Sequence, residues 1–187
     1  MKLLVIDNYD SFTHNLLQLI EQARVSNYTV VKNDELKSIP ADSFDKVLIS
    51  PGPGISHEAG DLRWFINKYF STKSMLGICL GHEAIAENFG AKIIPMPKPM
   101  HGIRNSANII INDRIFNGLP KTISVGHYHS WCLDDNSLPE EFEVTMRDEN
   151  GINMAIRHKK YSLYGMQYHP ESIMTDHGLQ MIKNWLF

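Results

Sequence analysis

The segment from Met75 to Phe89 limits what this chain can fold into more than any other. Met75 to Ile78 is a short apolar run with Gly77 inside it. From Leu80 to Phe89 the apolar positions Leu80, Ala84, Ile85, Ala86 and Phe89 suit a helix, and Gly90 suits its C-terminal cap. A strand therefore turns directly into a helix at Cys79. Gly77 and Gly81 let the backbone bend tightly there, as at a nucleophile elbow. A thiol at a helix N-terminus feels the positive end of the dipole, which favours the thiolate. A lone buried cysteine more commonly serves packing, so this junction alone assigns no chemistry.

The first half of the chain repeats the same alternation. Leu3 to Ile6, Tyr28 to Val31 and Lys46 to Ile49 read as short buried strands. Ser11 is placed to cap a helix running to about Arg24, with Phe12, Leu16, Leu19 and Ile20 on its apolar side, and Leu62 to Phe70 reads as a second helix. Strands alternating with helices predict an α/β fold with a mostly parallel central sheet and flanking helices. Its active site should lie at the carboxyl ends of the strands. After Gly90 the pattern changes. Ile93-Ile94, Ile109 to Ile111, Ile123 to Val125, Phe142 to Met146, Asn153 to Ile156 and Leu163 to Tyr168 read as strands joined by turns, including additional antiparallel strands. A helix from about Gly178 to Trp185 closes the chain, with Leu179, Ile182 and Leu186 facing inward.

Two more motifs fall at predicted strand ends. Lys46 to Ile49 leads into Ser50-Pro51-Gly52-Pro53-Gly54, a loop that exposes backbone N–H groups and keeps side chains out of the way. Leu163 to Tyr168 leads into His169-Pro170-Glu171. Pro170 disfavours a helical conformation at His169, and in an extended stretch residues two apart point the same way. A carboxylate beside an imidazole fixes its tautomer and stabilises its cation. Alone, the first motif reads better as an ordinary sharp turn, and the second as a common surface pair flanking a turn. Together with Cys79 they supply a nucleophile, a base, an orienter for the base and an oxyanion loop. That is the inventory for cleaving an amide through a covalent acyl-enzyme.

Composition sets outer bounds. The 187 residues fit one domain, 1–187, large enough for a sizeable core. Hydrophobic residues make up 43% and charged residues 21%, as in an ordinary soluble globule. The net charge of -3 and the lack of a basic stripe argue against nucleic acid. Two cysteines, Cys79 and Cys132, make no disulfide framework, and a reducing cytoplasm suits a thiolate enzyme. The apolar opening Leu3 to Ile6 stops at Asp7, too short for a signal peptide, and no run is long enough to span a membrane.

The chain resembles the class I, or triad, glutamine amidotransferases, and within them the glutaminase subunits of anthranilate synthase and aminodeoxychorismate synthase. The resemblance covers the whole chain. It rests on Asp7-Asn8-Tyr9-Asp10-Ser11-Phe12-Thr13, Ser50 to Gly54, Gly77 to His82, Tyr128-His129-Ser130, His169 to Glu171, Thr175-Asp176-His177-Gly178 and Asn184-Trp185-Leu186, in that order. Several ordered motifs are far more specific than one. The resemblance implies the class I glutamine amidotransferase fold. It also implies that Cys79 attacks the side-chain amide of glutamine, that His169 shuttles the proton and that Glu171 orients His169. Backbone N–H groups of Gly52 and Leu80 would form the oxyanion hole. Gly54, Glu83, Ser130 and Trp131 would hold the substrate. Ammonia would pass to a larger, chorismate-using synthase subunit. No cofactor or metal is expected in this chain, and Mg²⁺ only in that partner.

The sequence departs from the family pattern at four places. Glu83 stands where Gln is usual, His127 where Arg is usual, Trp131 where Leu is usual, and Ile103 before Arg104 where Lys is usual. A carboxylate at 83 can hold the substrate ammonium or repel its carboxylate. Other features stay open. His127 and His129 read as pocket-shaping residues or a turn rather than a metal pair lacking a third ligand. His57, Glu58 and Asp61 read as a partner contact or a solvated loop. Pro95 to His101, with exposed-looking Met96 and Met100, reads as a partner-facing loop or a rigid connection. Cys132 reads as packing and His14 as helix surface. Beside the glutaminase subunit stand two other classes: a free-standing γ-glutamyl hydrolase of the same fold, and a non-catalytic partner-binding module.

Overall fold

A computed structural model describes residues 1–187. Nine strands form one mixed sheet in the order β2-β1-β3-β4-β9-β8-β7-β5-β6. They are β1 (Leu3–Asp7), β2 (Tyr28–Lys32), β3 (Lys46–Ile49), β4 (Ser74–Ile78), β5 (Ile93–Ile109), β6 (Thr122–Leu133), β7 (Phe142–Asp148), β8 (Asn153–His158) and β9 (Leu163–Met166). The four pairings from β2 through β1, β3 and β4 to β9 are parallel. Those from β9 through β8, β7 and β5 to β6 are antiparallel. The change falls at β9, the strand that leads into His169.

Strict alternation along the parallel strands divides the core. Leu3 and Val5 face one side with Leu48, Leu76 and the helices α1 (Thr13–Gln22) and α4 (Gly178–Leu186), which bury Leu16, Ile20, Met181, Ile182 and Trp185 there. Leu4 and Ile6 face the other side with Val47, Ile49, Met75 and the helices α2 (Leu62–Tyr69) and α3 (Leu80–Asn88). Strands covered on both faces read as continuous apolar runs, which is why they were legible in sequence. Each fully buried Leu or Ile contributes roughly 1.5–3 kcal/mol.

Three expectations are corrected. Ser11 is exposed and caps nothing. The turn before α1 is made by Asp10, whose Oδ1 accepts the Phe12 N–H at 2.7 Å, while the Thr13 hydroxyl donates to Asp7 Oδ1 at 3.0 Å. Ile93-Ile94 and Ile109 belong to one long strand, β5, and Ile110 and Ile111 lie beyond it. Pro95 to His101 is thus part of a strand and not a free loop. Its pairing with β6 slips between Pro95 and Met100, where Pro95, Pro97 and Pro99 have no N–H to give the ladder, and again between His101 and Ile103, where Gly102 takes a φ of 66°. Met96 and Met100 are buried, packed with Cys132 in a small separate cluster.

Candidate active site

The β4–α3 junction places Cys79 with φ 50° and ψ −105°, a strained conformation for a residue carrying a Cβ. The junction is that tight because α3 lies directly on the strands. A methyl group on Gly81 would stand 2.8 Å from the Ile49 carbonyl oxygen, and one on Gly77 would collide with the Gly81 carbonyl. The Cys79 N–H donates to the Met166 carbonyl at 2.8 Å, tying the elbow to the end of β9.

The thiol does not behave as its position at the helix N-terminus suggests. Burial holds the Cys79 pKa well above the ordinary thiol value, Glu83 adds to that, and the Leu80 N–H opposes it only in part. Desolvation of the charged form therefore outweighs the helix dipole, and the resting group is the thiol. A base must remove its proton.

His169 keeps one ring nitrogen free for a proton. Its Nδ1 lies 2.7 Å from Glu171 Oε1, and both side chains are almost fully buried. With Nδ1–H donating to the carboxylate, Nε2 keeps its lone pair, and Nε2 has no partner within the protein. Tyr128 and Phe12 stand edge-on to the ring, with centroids 5.1 and 5.7 Å away. The backbone is stapled to β6. The His169 N–H donates to the Gly126 carbonyl at 3.1 Å. Thr175 Oγ1 donates to the His169 carbonyl at 2.6 Å and accepts the Gly126 N–H at 2.9 Å.

A cavity of about 440 Å³ opens over the elbow. Its walls include Gly52, Gly54, Cys79, Leu80, Glu83, Ser130 and Trp131, so all the site residues expected from the sequence meet there except His169 and Glu171, which lie behind the wall. Gly52 packs tightly, since a methyl group on it would come within 3.2 Å of Leu80 Cδ1 and 2.6 Å of Asn8 Cβ. The Gly52 N–H makes no backbone hydrogen bond, and so is free to donate to a ligand.

Glu83 is buried, and its carboxyl pKa rises from 4.5 to about 7, chiefly through burial, opposed by a hydrogen bond from Gln167. Gln167 Nε2 donates to Glu83 Oε1 at 3.0 Å and lies 3.9 Å from Cys79 Sγ. His127 and His129 are paired with each other, Nδ1 to Nε2 at 3.0 Å, and His129 Nδ1 donates to the Trp131 carbonyl at 2.7 Å. Burial lowers both pKa values, that of His129 to about 4, so both are neutral at pH 7. They brace the Tyr128-to-Trp131 wall. His101 Nε2 bonds Ser130 Oγ at 3.1 Å. His57 and Asp61 are turned to Glu87 and Lys37.

Sequence reading missed Tyr9, Asp10 and Ser11 on the cavity wall, and Gln167 behind it. The first three follow the carboxyl end of β1 as Gly52 follows that of β3, so the strand-end rule could have found them. Gln167 sits two residues before His169, but nothing local marks an uncharged amide as part of a site.

Comparison with known proteins agrees with this geometry. Residues 4–187 match the family model described as glutamine amidotransferase class-I. The chain is 42% identical to aminodeoxychorismate synthase component 2 of Klebsiella aerogenes, over 98% of each chain. It is 39% identical to anthranilate synthase component 2 of Cyanophora paradoxa, over 98% of this chain and 97% of that one. A solved structure of a GMP synthase subunit from Thermoplasma acidophilum superposes with a TM-score of 0.88 at 27% identity, covering 100% of this chain and 92% of the other. The chain belongs to the class I glutamine amidotransferases, and its fold is theirs. Its relatives include component 2 of anthranilate synthase and component 2 of aminodeoxychorismate synthase. No helix is long and apolar enough to cross a membrane.

Proposed function

We propose that this chain is the glutaminase subunit of a chorismate-using synthase, hydrolysing L-glutamine to glutamate and delivering ammonia to a component I partner. The observation that carries this reading is the His169–Glu171 pair at 2.7 Å, with an unpartnered imidazole Nε2 behind a cavity that Cys79 and Gly52 line. The component 2 names of full-length relatives support a partner subunit and leave the choice between anthranilate and aminodeoxychorismate synthesis open.

The chemistry follows from the groups present. His169 Nε2 takes the Cys79 proton as the sulfur attacks the amide carbon of the substrate side chain. The carbonyl oxygen gains charge and is held by the Gly52 and Leu80 N–H groups. The C–N bond then breaks, and the His169 proton goes to the departing nitrogen, releasing ammonia and leaving a γ-glutamyl thioester. His169 next takes a proton from water, whose oxygen attacks the thioester carbon. Glutamate leaves, and the proton returns to the Cys79 sulfur. Glu171 stabilises the imidazolium in both halves. Gly54, Glu83, Ser130 and Trp131 bind the substrate. No step draws on a metal or cofactor from this chain, and Mg²⁺ belongs to the partner.

The test is glutamine hydrolysis by this chain alone and with each chorismate-using partner of the same organism. Stimulation by one partner assigns the pathway, and stimulation by both means that the two synthases share it. Activity on other γ-glutamyl compounds without any partner identifies a free-standing hydrolase instead. Loss of partner-stimulated hydrolysis in Cys79→Ser excludes a purely structural module.

A further inference from the structure

Gln167 is wholly buried, immediately past β9, and the roles assigned so far do not use it. Its side-chain nitrogen faces two groups of the site, Glu83 Oε1 at 3.0 Å and Cys79 Sγ at 3.9 Å. Its carbonyl oxygen has no partner. An amide can be turned end for end, and the neighbours decide which end faces where. With the amide reversed, two oxygens would stand 3.0 Å apart in a buried place, which is repulsive whenever Glu83 is ionised. A carboxylate oxygen can only accept in that state, so Glu83 selects the orientation that aims N–H groups at the sulfur.

We propose, resting on the glutaminase reading, that Gln167 is a hydrogen-bond donor to the Cys79 sulfur during acyl transfer and that Glu83 is its positioning residue. The sulfur carries most negative charge when its proton has moved to His169 and when the thioester collapses to release glutamate. Those are the moments at which a donor on the sulfur helps most, because a hydrogen bond to a charged acceptor is about twice as strong as one to a neutral acceptor. The approach of 3.9 Å is long for the resting thiol and has room to shorten as charge develops. Glu83 itself opposes charge on the sulfur through space. Gln167 stands between the two and turns part of that opposition into a directed bond.

The experiment measures alkylation of Cys79 by iodoacetamide in the full chain at pH 8.5, with Cys79 and Cys132 followed separately by peptide mass spectrometry. Gln167→Met keeps the volume and removes the donor. It is expected to slow Cys79 alkylation about ten-fold, the effect of raising the thiol pKa by one unit, with Cys132 alkylation unchanged as the check that the fold is intact. Gln167→Leu serves the same purpose should the Met variant fail to fold. Glu83→Met removes both the opposing charge and the amide's orienter. It is therefore expected to speed alkylation less in the wild-type background than in the Gln167→Met background. Unchanged Cys79 alkylation in the Gln167 variants, or strict additivity of the two substitutions, overturns the proposal. A wild-type chain that hydrolyses glutamine while the Gln167 variants alkylate normally refutes this inference and leaves the glutaminase reading intact. Slowed alkylation in a chain that no partner makes a glutaminase refutes that reading instead.

Discussion

His169 Nδ1 and Glu171 Oε1 are 2.7 Å apart although Pro170 separates the two residues in sequence. The segment is a turn and not the extended run expected from the sequence: the Ser172 N–H donates to the His169 carbonyl at 3.2 Å, Pro170 fits the second position of such a turn, and the turn brings the two side chains together. Glu171→Gln retains the shape and loses the negative charge, and a glutamine can present its NH₂ to Nδ1 and favour the wrong tautomer. Partner-stimulated kcat for glutamine hydrolysis is expected to fall by roughly 10²–10⁴-fold, by analogy with the carboxylate of other triads. A KM near that of the wild type would place the loss in the chemistry. A kcat within about three-fold of wild type would remove Glu171 from the mechanism.

Thr175 is the clip that holds this segment in place. Its hydroxyl is shared between the His169 carbonyl at 2.6 Å and the Gly126 N–H at 2.9 Å. Thr175→Val strands the Gly126 N–H and leaves the His169 carbonyl with the Ser172 N–H alone, at 3.2 Å; a buried group so stranded costs about 1–3 kcal/mol. The loss should appear as a lower urea midpoint, together with a drop in kcat larger than any rise in KM. Equal stability of the two proteins would show that the clip is redundant.

The buried parallel strands and the elbow were legible because their residues carry the information locally. Leu3 to Ile6 and Lys46 to Ile49 are unbroken apolar runs, and Gly77 and Gly81 mark where a helix and a strand approach closely. The long β5 was not legible, because Pro95, Pro97 and Pro99 signal a break by local rules, and only pairing with β6 overrides them. The start of α1 was misread for a related reason. Ser11 has the right chemistry for a cap, but Asp10 one residue earlier already forms the turn. In the site, the residue types at Cys79, His169 and Glu171 marked them as candidates, and the structure pairs His169 with Glu171. Gln167 did not, because an uncharged amide acquires a role only from the groups that fold against it.

The backbone at Cys79 stores strain that a side chain ordinarily forbids. Its φ of 50° suits glycine better than alanine. Cys79→Gly is therefore expected to be more stable than Cys79→Ala by about 1 kcal/mol, the reverse of the usual order inside regular structure. Both variants should be inactive. Chemical unfolding of the two proteins side by side is the measurement, and a more stable alanine variant would deny that the elbow is strained.

Glu83 ties stability to pH in a direction unusual for a carboxylate. Its pKa rises on folding from 4.5 to about 7, so the folded protein binds more protons than the unfolded chain between those values. Stability associated with this group is thus fully present below pH 4.5 and is lost as the pH climbs through about 7. Glu83→Gln removes the titration. The variant should gain on the wild type across that window and hold a constant lead above it, of at most roughly 3 kcal/mol. The same carboxylate lines the cavity over Cys79 and, on the proposed function, would oppose a substrate carboxylate placed beside it. The variant should therefore also show a lower KM for glutamine, with the advantage larger at pH 8 than at pH 6. Urea unfolding and steady-state kinetics at both pH values read the two effects separately. A stability gap that does not change between the two pH values would remove Glu83 as the titrating group. A gap that widens with an unchanged KM would show that its charge is felt by the fold and not by the substrate.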